Sequence, residues 1–433
     1  MSTDIERIAK QARENREQKF DTIAHYLTPE ALETAFNAMR KDASAGEDGI
    51  TYGEYQKNAK GNIQALHERM CNKKYRAEPL KRVYIPKEDG TQRALSIPSL
   101  EDKIVQKATV TLLNAIYEQD FLKCSYGFRP GRSQHDALDA IGNQICRRPS
   151  EWVLEADIQG YFDNIVREKL MELIERRVKD GSILRLIGKW INVGVIDEGR
   201  LLTSDKGVGQ GQVISPLLAN IYLHYVLDEW FEQEVKPRLR GVAHEVRFAD
   251  DFILCFQYKE DAEKVLEVLG KRFAKYGLNL HPEKTRLIKF GRKALEEGEK
   301  PGGKPPATFD FLGLTHIASR SRKGNFCIHV KTMSKRMRRS IKAATEWCRK
   351  HRHKSLEEQQ EALNSKLRGH YQYYGRPTNF ETIKKFYRAV VCAWKKHLSR
   401  RSRGKAVTWD KMLKILERYP LVLPSITHAW NTW

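Results

Sequence analysis

Arg247-Phe248-Ala249-Asp250-Asp251-Phe252-Ile253-Leu254 decides the reading of this chain. Val246 and Phe248 lead into it, and Phe252 to Phe256 form an almost wholly apolar run, the pattern of a buried strand. Two adjacent acids thus fall at a tight bend between two hydrophobic strands. Carboxylates packed together repel and lose hydration, so something positive must compensate. A pair of divalent ions is a fitting partner, because hard oxygen ligands on rigid strands suit Mg²⁺. Taken alone, the dipeptide is equally a solvated hairpin turn.

A third acid lies upstream in Trp152-Val153-Leu154-Glu155-Ala156-Asp157-Ile158-Gln159-Gly160-Tyr161-Phe162-Asp163. A short apolar strand runs into Asp157, then a glycine turn carries two aromatics. Leu170, Leu173, Ile174 and Val178 follow at helical spacing. Phosphoryl transfer between two metal ions needs carboxylates from more than one element, which makes Asp157 the partner of Asp250 and Asp251. As a lone residue Asp157 also fits a helix cap or turn.

The pairing of D-x-x-x-[FY]-F with a later F-A-D-D hairpin resembles motifs A and C of reverse transcriptases. More specifically, the chain resembles the group II intron-encoded reverse transcriptases, or maturases. Arg93 to Pro98 with Asp102 to Gln106 is similar to the first motif of that family, and Ser125 to Ser133 to its second. Gln210 to Ile221 resembles motif B, Gly277 to Thr285 motif D, Phe309 to Leu314 motif E, and Leu363 to Tyr374 the maturase thumb. The motifs stand in family order over most of the chain.

The resemblance implies an α+β right-hand polymerase with fingers, a palm built on an antiparallel sheet, and a helical thumb. It implies an N-terminal extension over 1–70, fingers and palm over 71–320, a thumb over 332–395 and a short basic DNA-binding-like tail over 396–433. It also implies RNA-directed DNA synthesis with two Mg²⁺ ions, Mn²⁺ being a substitute, held by Asp157, Ile158, Asp250 and Asp251. Phe162 takes the place of the gate that rejects a 2′-hydroxyl; from the residues alone it is a core ring. Lys87 and Arg93 flank Asp89-Gly90, a turn between two extended segments, and would hold the triphosphate as a point charge and a fork. Lys87 reads equally as a solvated lysine. Gln210 would lie beside template and incoming nucleotide. Tyr126, Arg129, Arg368, Tyr373, Arg400 and Arg401 are the expected nucleic-acid contacts, and Lys284 is either a proton donor to pyrophosphate or a surface lysine.

One stretch departs from the family, which usually has Pro-Gln-Gly-Gly where this chain has Gly209-Gln210-Gly211-Gln212. Glycine frees a φ that proline would fix, and Gln212 adds bulk where there is normally none. The expected consequence is altered template placement, speed or fidelity. Just beyond it, Ser215-Pro216 reads as a helix start with serine as cap, running through Trp230.

Composition agrees. The 433 residues suffice for two or three domains, and the net charge of +22 is the footprint of a polyanion binder. Between Lys331 and Lys405 there are 22 Lys and Arg against 5 Asp and Glu, too few acids for compensating salt bridges. Trp347, Tyr371, Tyr373, Tyr374, Phe386, Tyr387 and Trp394 are interleaved with that charge, to pack helices or stack on bases. Seven cysteines without a Cys-x-x-Cys pair exclude an obvious zinc knuckle and suit a reducing, bacterial-type cytoplasm. No apolar stretch is long enough to span a membrane and no secretory leader is evident.

An amphipathic helix is expected over Glu260 to Tyr276 with Val265, Leu266, Val268, Leu269 and Phe273 inward, a linker over Glu296 to Pro306, and a tail helix over Trp409 to Tyr419. The tail is too short for a separate endonuclease. The expected partners are structured RNA such as a group II intron, an RNA template and a DNA primer or target. Two other roles fit the same residues: a domesticated enzyme of phage defence, spacer acquisition or repair, and a splicing factor that binds RNA without polymerising.

Overall fold

Phe252, Ile253, Leu254, Cys255 and Phe256 are all buried, and the strand they form is the second of a four-stranded antiparallel sheet. A computed structural model describes residues 3–86, 90–401 and 406–429. Its strands in chain order are β1 (Leu80–Pro86), β2 (Gln92–Ile97), β3 (Trp152–Ala156), β4 (Val195–Asp197), β5 (Arg200–Leu202), β6 (Ala243–Phe248), β7 (Asp251–Phe256), β8 (Arg286–Lys289), β9 (Phe309–Phe311), β10 (Leu314–Arg320) and β11 (Phe326–Thr332). The palm sheet has the order β6-β7-β3-β8. In it Leu154 faces Leu254 on one side and Leu287 on the other. This register puts Ala156 beside Phe252, so the chain after β3 and the β6–β7 turn emerge at the same end of the sheet.

Helices cover both faces of that sheet. The helix Lys259–Lys275 packs with Val265, Leu269 and Phe273 inward, and Gly277 at φ +72° ends it. Val268, expected inward, is instead 40% exposed: it lies three residues past Val265, on the edge of the apolar stripe. The helix from Ser215 continues through two π turns, His224–Asp228 and Phe231–Val235, rather than as one regular helix to Trp230. Ser215 sits inside its first turn and donates from Oγ to the Gly209 carbonyl at 2.9 Å, so it ties back the preceding loop instead of capping.

The fingers carry a mixed sheet, β2-β1-β4-β5, and the helix Leu100–Asp120. The β1–β2 hairpin pairs Pro86 with Gln92, while Lys87 and Asp89 lie outside the described residues. The N-terminal helix Thr3–Glu14 docks through Arg177, which donates to the carbonyls of Ala12, Asn15 and Gln18 and pairs with Asp120 at 2.9 Å. A third sheet, β11-β10-β9, turns at Leu312-Gly313, both at positive φ as a two-residue hairpin requires. The expected linker begins as helix: Arg292–Gly298 reaches into its first three residues, and Glu299 is held by Arg320 at 2.6 Å.

Three helices, Ser334–Lys350, Leu356–Tyr374 and Phe380–Leu398, make the thumb around Leu363, Leu367, Ile383, Phe386 and Trp394. The tail belongs to the same core. Helix Trp409–Arg418 inserts Met412, and the segment after it inserts Leu421. That segment then laces along Leu356–Tyr374: Val422 N donates to Asn364 Oδ1 at 2.7 Å, Tyr371 OH donates to Val422 O at 3.1 Å, and Thr427 Oγ1 donates to Tyr371 O at 2.7 Å. It ends with His428 stacked on His135 of the palm helix Gln134–Arg147, ring centroids 3.4 Å apart. Arg376, fully buried, joins thumb to the same helix through Asp139 at 2.6 Å. No described helix is long and apolar enough to cross a membrane.

Candidate active site

The β6–β7 hairpin pairs Phe248 with Asp251, leaving Ala249 and Asp250 as its two turn residues. Ala249 takes φ +59°, a conformation disfavoured for a residue with a Cβ. Two contacts hold it there. Gly127 lies so close behind that a Cβ on it would stand 2.4 Å from Ala249 N, and Arg247 donates from Nη1 to Ala249 O at 2.9 Å.

Arg247 is the hub of this support and is wholly buried. Its guanidinium takes Asp228 at two points, reaches Asn220 Oδ1 at 3.0 Å and donates to Ser125 Oγ at 2.8 Å. Asn220 in turn donates to Gly127 O at 2.7 Å. The backbone around Ser125 runs beside β6 as a short parallel strand, with Tyr126 N to Arg247 O at 2.9 Å and Arg247 N to Cys124 O at 2.8 Å. The arginine's donors are satisfied by the helix from Ser215, the Ser125 segment and the turn itself, so the turn is rigid from behind. Next to this hub, Glu245 is buried beside Asp228 and Cys124, and burial followed by Asp228 pushes its carboxyl well above the usual range.

In front of the turn the three acids interact. Burial and then Asp157 raise Asp250, while Arg93 and Lys284 act in the opposite direction. Asp251 keeps an opening to solvent, yet the protein packed around it, followed by Asp250 and Asp157, pushes its carboxyl up to about 7. Asp157 leaves β3 with its carbonyl bonded by His281 N at 2.8 Å, and its Oδ2 takes Lys284 Nζ at 2.7 Å. The acids therefore repel one another with one ammonium ion in partial compensation. That is the chemistry of a donor set for divalent cations. Ile158 has an apolar, buried side chain, so only its carbonyl could join such a set.

Phe162 follows Gly160, which adopts φ +55° to turn the chain after Asp157. The ring is half-buried against Tyr161, and its carbonyl accepts from Val208 N at 2.9 Å, joining it to the loop of Gln210. Arg93 is exposed on β2 and acts electrostatically on Asp250. Gln210 is half-buried, its carbonyl taking Ser96 N of β2 at 2.7 Å. Among the thumb residues, Tyr373 bonds Leu312 O at the hairpin tip at 3.3 Å and feels both Arg336 and Asp251. Arg368, Arg400 and Arg401 are exposed.

Two expected contacts face inward instead. Tyr126 is buried in the palm core, and Arg129 is 7% exposed with its guanidinium spent on Glu118 and on the carbonyls of Leu122 and Ser125. As placed, neither presents a free face to a nucleic acid; both brace the segment behind the catalytic turn. Arg247, Asp228 and Asn220 were not singled out from sequence. Two polar residues eight apart on an otherwise apolar helix, and an arginine alternating with apolar strand positions, were the available signal.

Residues 85–316 match the family described as reverse transcriptase (RNA-dependent DNA polymerase), more than half of the chain. The chain is 33% identical over 329 residues to protein YkfC of Escherichia coli K12, covering 69% of this chain and 82% of that protein. It is 30% identical over 302 residues to group II intron-encoded protein LtrA of Lactococcus lactis subsp. cremoris, covering 67% of this chain and half of that protein. Nuclear intron maturase 4, mitochondrial, of Arabidopsis thaliana is 30% identical over 155 residues, 36% of this chain and 19% of that protein. Acids gathered at one end of an antiparallel palm sheet, the fingers and thumb around them, and these likenesses agree: the chain belongs to the reverse transcriptases, in their group II intron-like branch.

Proposed function

We propose that this protein extends a DNA primer on an RNA template, and that its basic thumb also grips a structured RNA of the group II intron kind. The observation that carries the reading is the only partly compensated repulsion among Asp157, Asp250 and Asp251 at the end of the palm sheet. Two Mg²⁺ ions held by Asp157, Asp250 and Asp251, with the Ile158 carbonyl, would activate the primer hydroxyl and neutralise the leaving pyrophosphate. The protein's own groups do the rest. Arg93 holds triphosphate charge, Gln210 lies along the nucleotide, and the Phe162 ring leaves no room for a 2′-hydroxyl. Lys284, already beside Asp157, is placed to give a proton to pyrophosphate.

The charge of +17 between Lys331 and Lys405 supports backbone binding by the thumb, with Arg368, Tyr373, Arg400 and Arg401 as contacts. The names of the relatives, an intron-encoded protein and an intron maturase, favour intron RNA over a defence or repair role. Seven unpaired thiols are in keeping with a reducing cytoplasm.

The test is primer extension on RNA with Mg²⁺, comparing wild type with Asp250→Asn and dNTPs with NTPs. Synthesis from dNTPs alone, lost in the variant, is the expected result. A folded wild type that binds RNA and makes no DNA would leave the splicing role alone standing.

A further inference from the structure

Gln212 points into the protein interior. It is 3% exposed, its Oε1 accepts from Gln106 Nε2 at 2.9 Å, and its Nε2 donates to Trp190 O at 3.1 Å. Gln106, fully buried on the fingers helix, completes the arrangement by accepting from Val213 N at 2.9 Å and Ile214 N at 3.4 Å. Two buried amides thus clasp the loop to the helix Leu100–Asp120 and to the helix Gly181–Asn192. The loop has no room to slide on its other side. Gly211, at φ +116°, would carry a Cβ 2.8 Å from Ser96 O, and Gln210 O is bonded to Ser96 N.

The space that the Gln212 amide fills is the space a side chain at 209 would need. A Cβ on Gly209 would stand 2.7 Å from Gln212 Nε2 and 2.9 Å from Leu80 Cδ1. Moving the amide aside would break its bonds to Gln106 and Trp190 and orphan buried polar atoms. Where the family pattern has a ring at the first position and no side chain at the fourth, this chain has the reverse. The bulk has changed places within one cavity.

We infer that Gly209 and Gln212 are one coupled unit, and that Gln212 is a positioning residue which sets the Gln210 loop for the incoming nucleotide. Its amide does through hydrogen bonds what a fixed φ would do through a ring. The inference rests on the polymerase reading for its kinetic part, but the coupling itself is a matter of folding.

Five proteins test it: wild type, Gly209→Ala, Gln212→Gly, the double variant, and Gln212→Met, which keeps the bulk without the amide. The melting temperature of each is measured, then the dNTP KM, the misinsertion frequency and the primer–template Kd. Gly209→Ala alone should melt lower than wild type, and adding Gln212→Gly should restore part of that loss. Gln212→Met should raise the dNTP KM at least fivefold and increase misinsertion while the primer–template Kd stays within twofold. Melting shifts that simply add in the double variant would overturn the coupling. A Gln212→Met protein with wild-type KM and misinsertion would overturn the positioning role. A wild type that never extends a primer removes the polymerase reading, and the melting cycle still decides the coupling.

Discussion

Arg247 and Asp228 meet at two points, Nε to Oδ1 at 2.6 Å and Nη2 to Oδ2 at 2.5 Å, with neither side chain exposed. The pair stands behind the turn that carries Asp250, and the same guanidinium bonds the Ala249 carbonyl. Removing one partner strands a buried charge, a loss of about 3–5 kcal/mol. We predict that Asp228→Asn destabilises by that order and reduces extension even at temperatures where the protein stays folded. Arg247→Lys should fare no better, since an ammonium cannot reach four acceptors in the plane of a fork. Retention of full activity by a folded Asp228→Asn would refute the supporting role.

Glu245 gives the opposite expectation. Its folded carboxyl sits well above the usual range, because burial and the neighbouring Asp228 disfavour the charge. A carboxyl raised in the fold must take up a proton to fold at neutral pH, so it costs stability above its unfolded value, increasingly as pH rises. Glu245→Gln keeps the shape without the proton. It should be neutral or stabilising by about 1 kcal/mol at pH 8, and less so at pH 5. Denaturant melts at both pH values check this; a loss of stability at pH 8 speaks against a neutral Glu245.

Lys284 competes with any cation for Asp157, its Nζ being 2.7 Å from Oδ2. The lysine is 61% exposed, so the pair itself contributes little to stability. Lys284→Ala should therefore leave the chelator-treated protein within about 0.5 kcal/mol of wild type. Added Mg²⁺ should raise its melting temperature more than it raises that of wild type. Equal Mg²⁺ shifts would mean that Lys284 and the cations do not share Asp157.

Burial holds the imidazoles of His135, His224, His316 and His370 down at about 4. Their unfolded value is about 6.5, so the unfolded chain binds more protons between these limits. Stability is fully present above about pH 6.5 and is lost as pH falls toward 4, by at most ~1.4 kcal/mol per pH unit for each histidine. Asp102 and Asp120, held at about 6 by burial, Asp251, at about 7, and Glu245, well above the usual range, oppose this as pH falls. His316→Phe should therefore lose less stability than wild type, or gain more, between pH 7 and 5, as melting temperatures at both values would show. Parallel pH profiles for the two proteins would exclude a neutral His316 in the core.

The palm hairpin was legible because two acids interrupt an apolar run, a local pattern with few solutions. The support behind it was not, because Ser125 on one side and Asn220 and Asp228 on a distant helix meet only at Arg247. Gln212 was legible as bulk but not as direction: no period governs a loop side chain, and only the fold turns it inward onto Gln106. Tyr126 and Arg129 sit in a motif that carries binding residues in the family, yet the parallel bridge of Ser125 with Arg247 draws their segment inward. The basic tail reads as an appendage because charge dominates its first residues, while Met412 and Leu421, which dock it, are single apolar residues.

The segment that returns along the thumb and ends on His135 makes the thumb a tethered part. Swinging it away from the palm means peeling one imidazole from another and parting Arg376 from Asp139. Both attachments lie on the palm helix Gln134–Arg147, so they act as a single pivot. A thumb anchored in this way has its fixed point at the helix Gln134–Arg147, and the ends of its helices farthest from there have the most reach, as the jaw of a clamp has against its hinge pin.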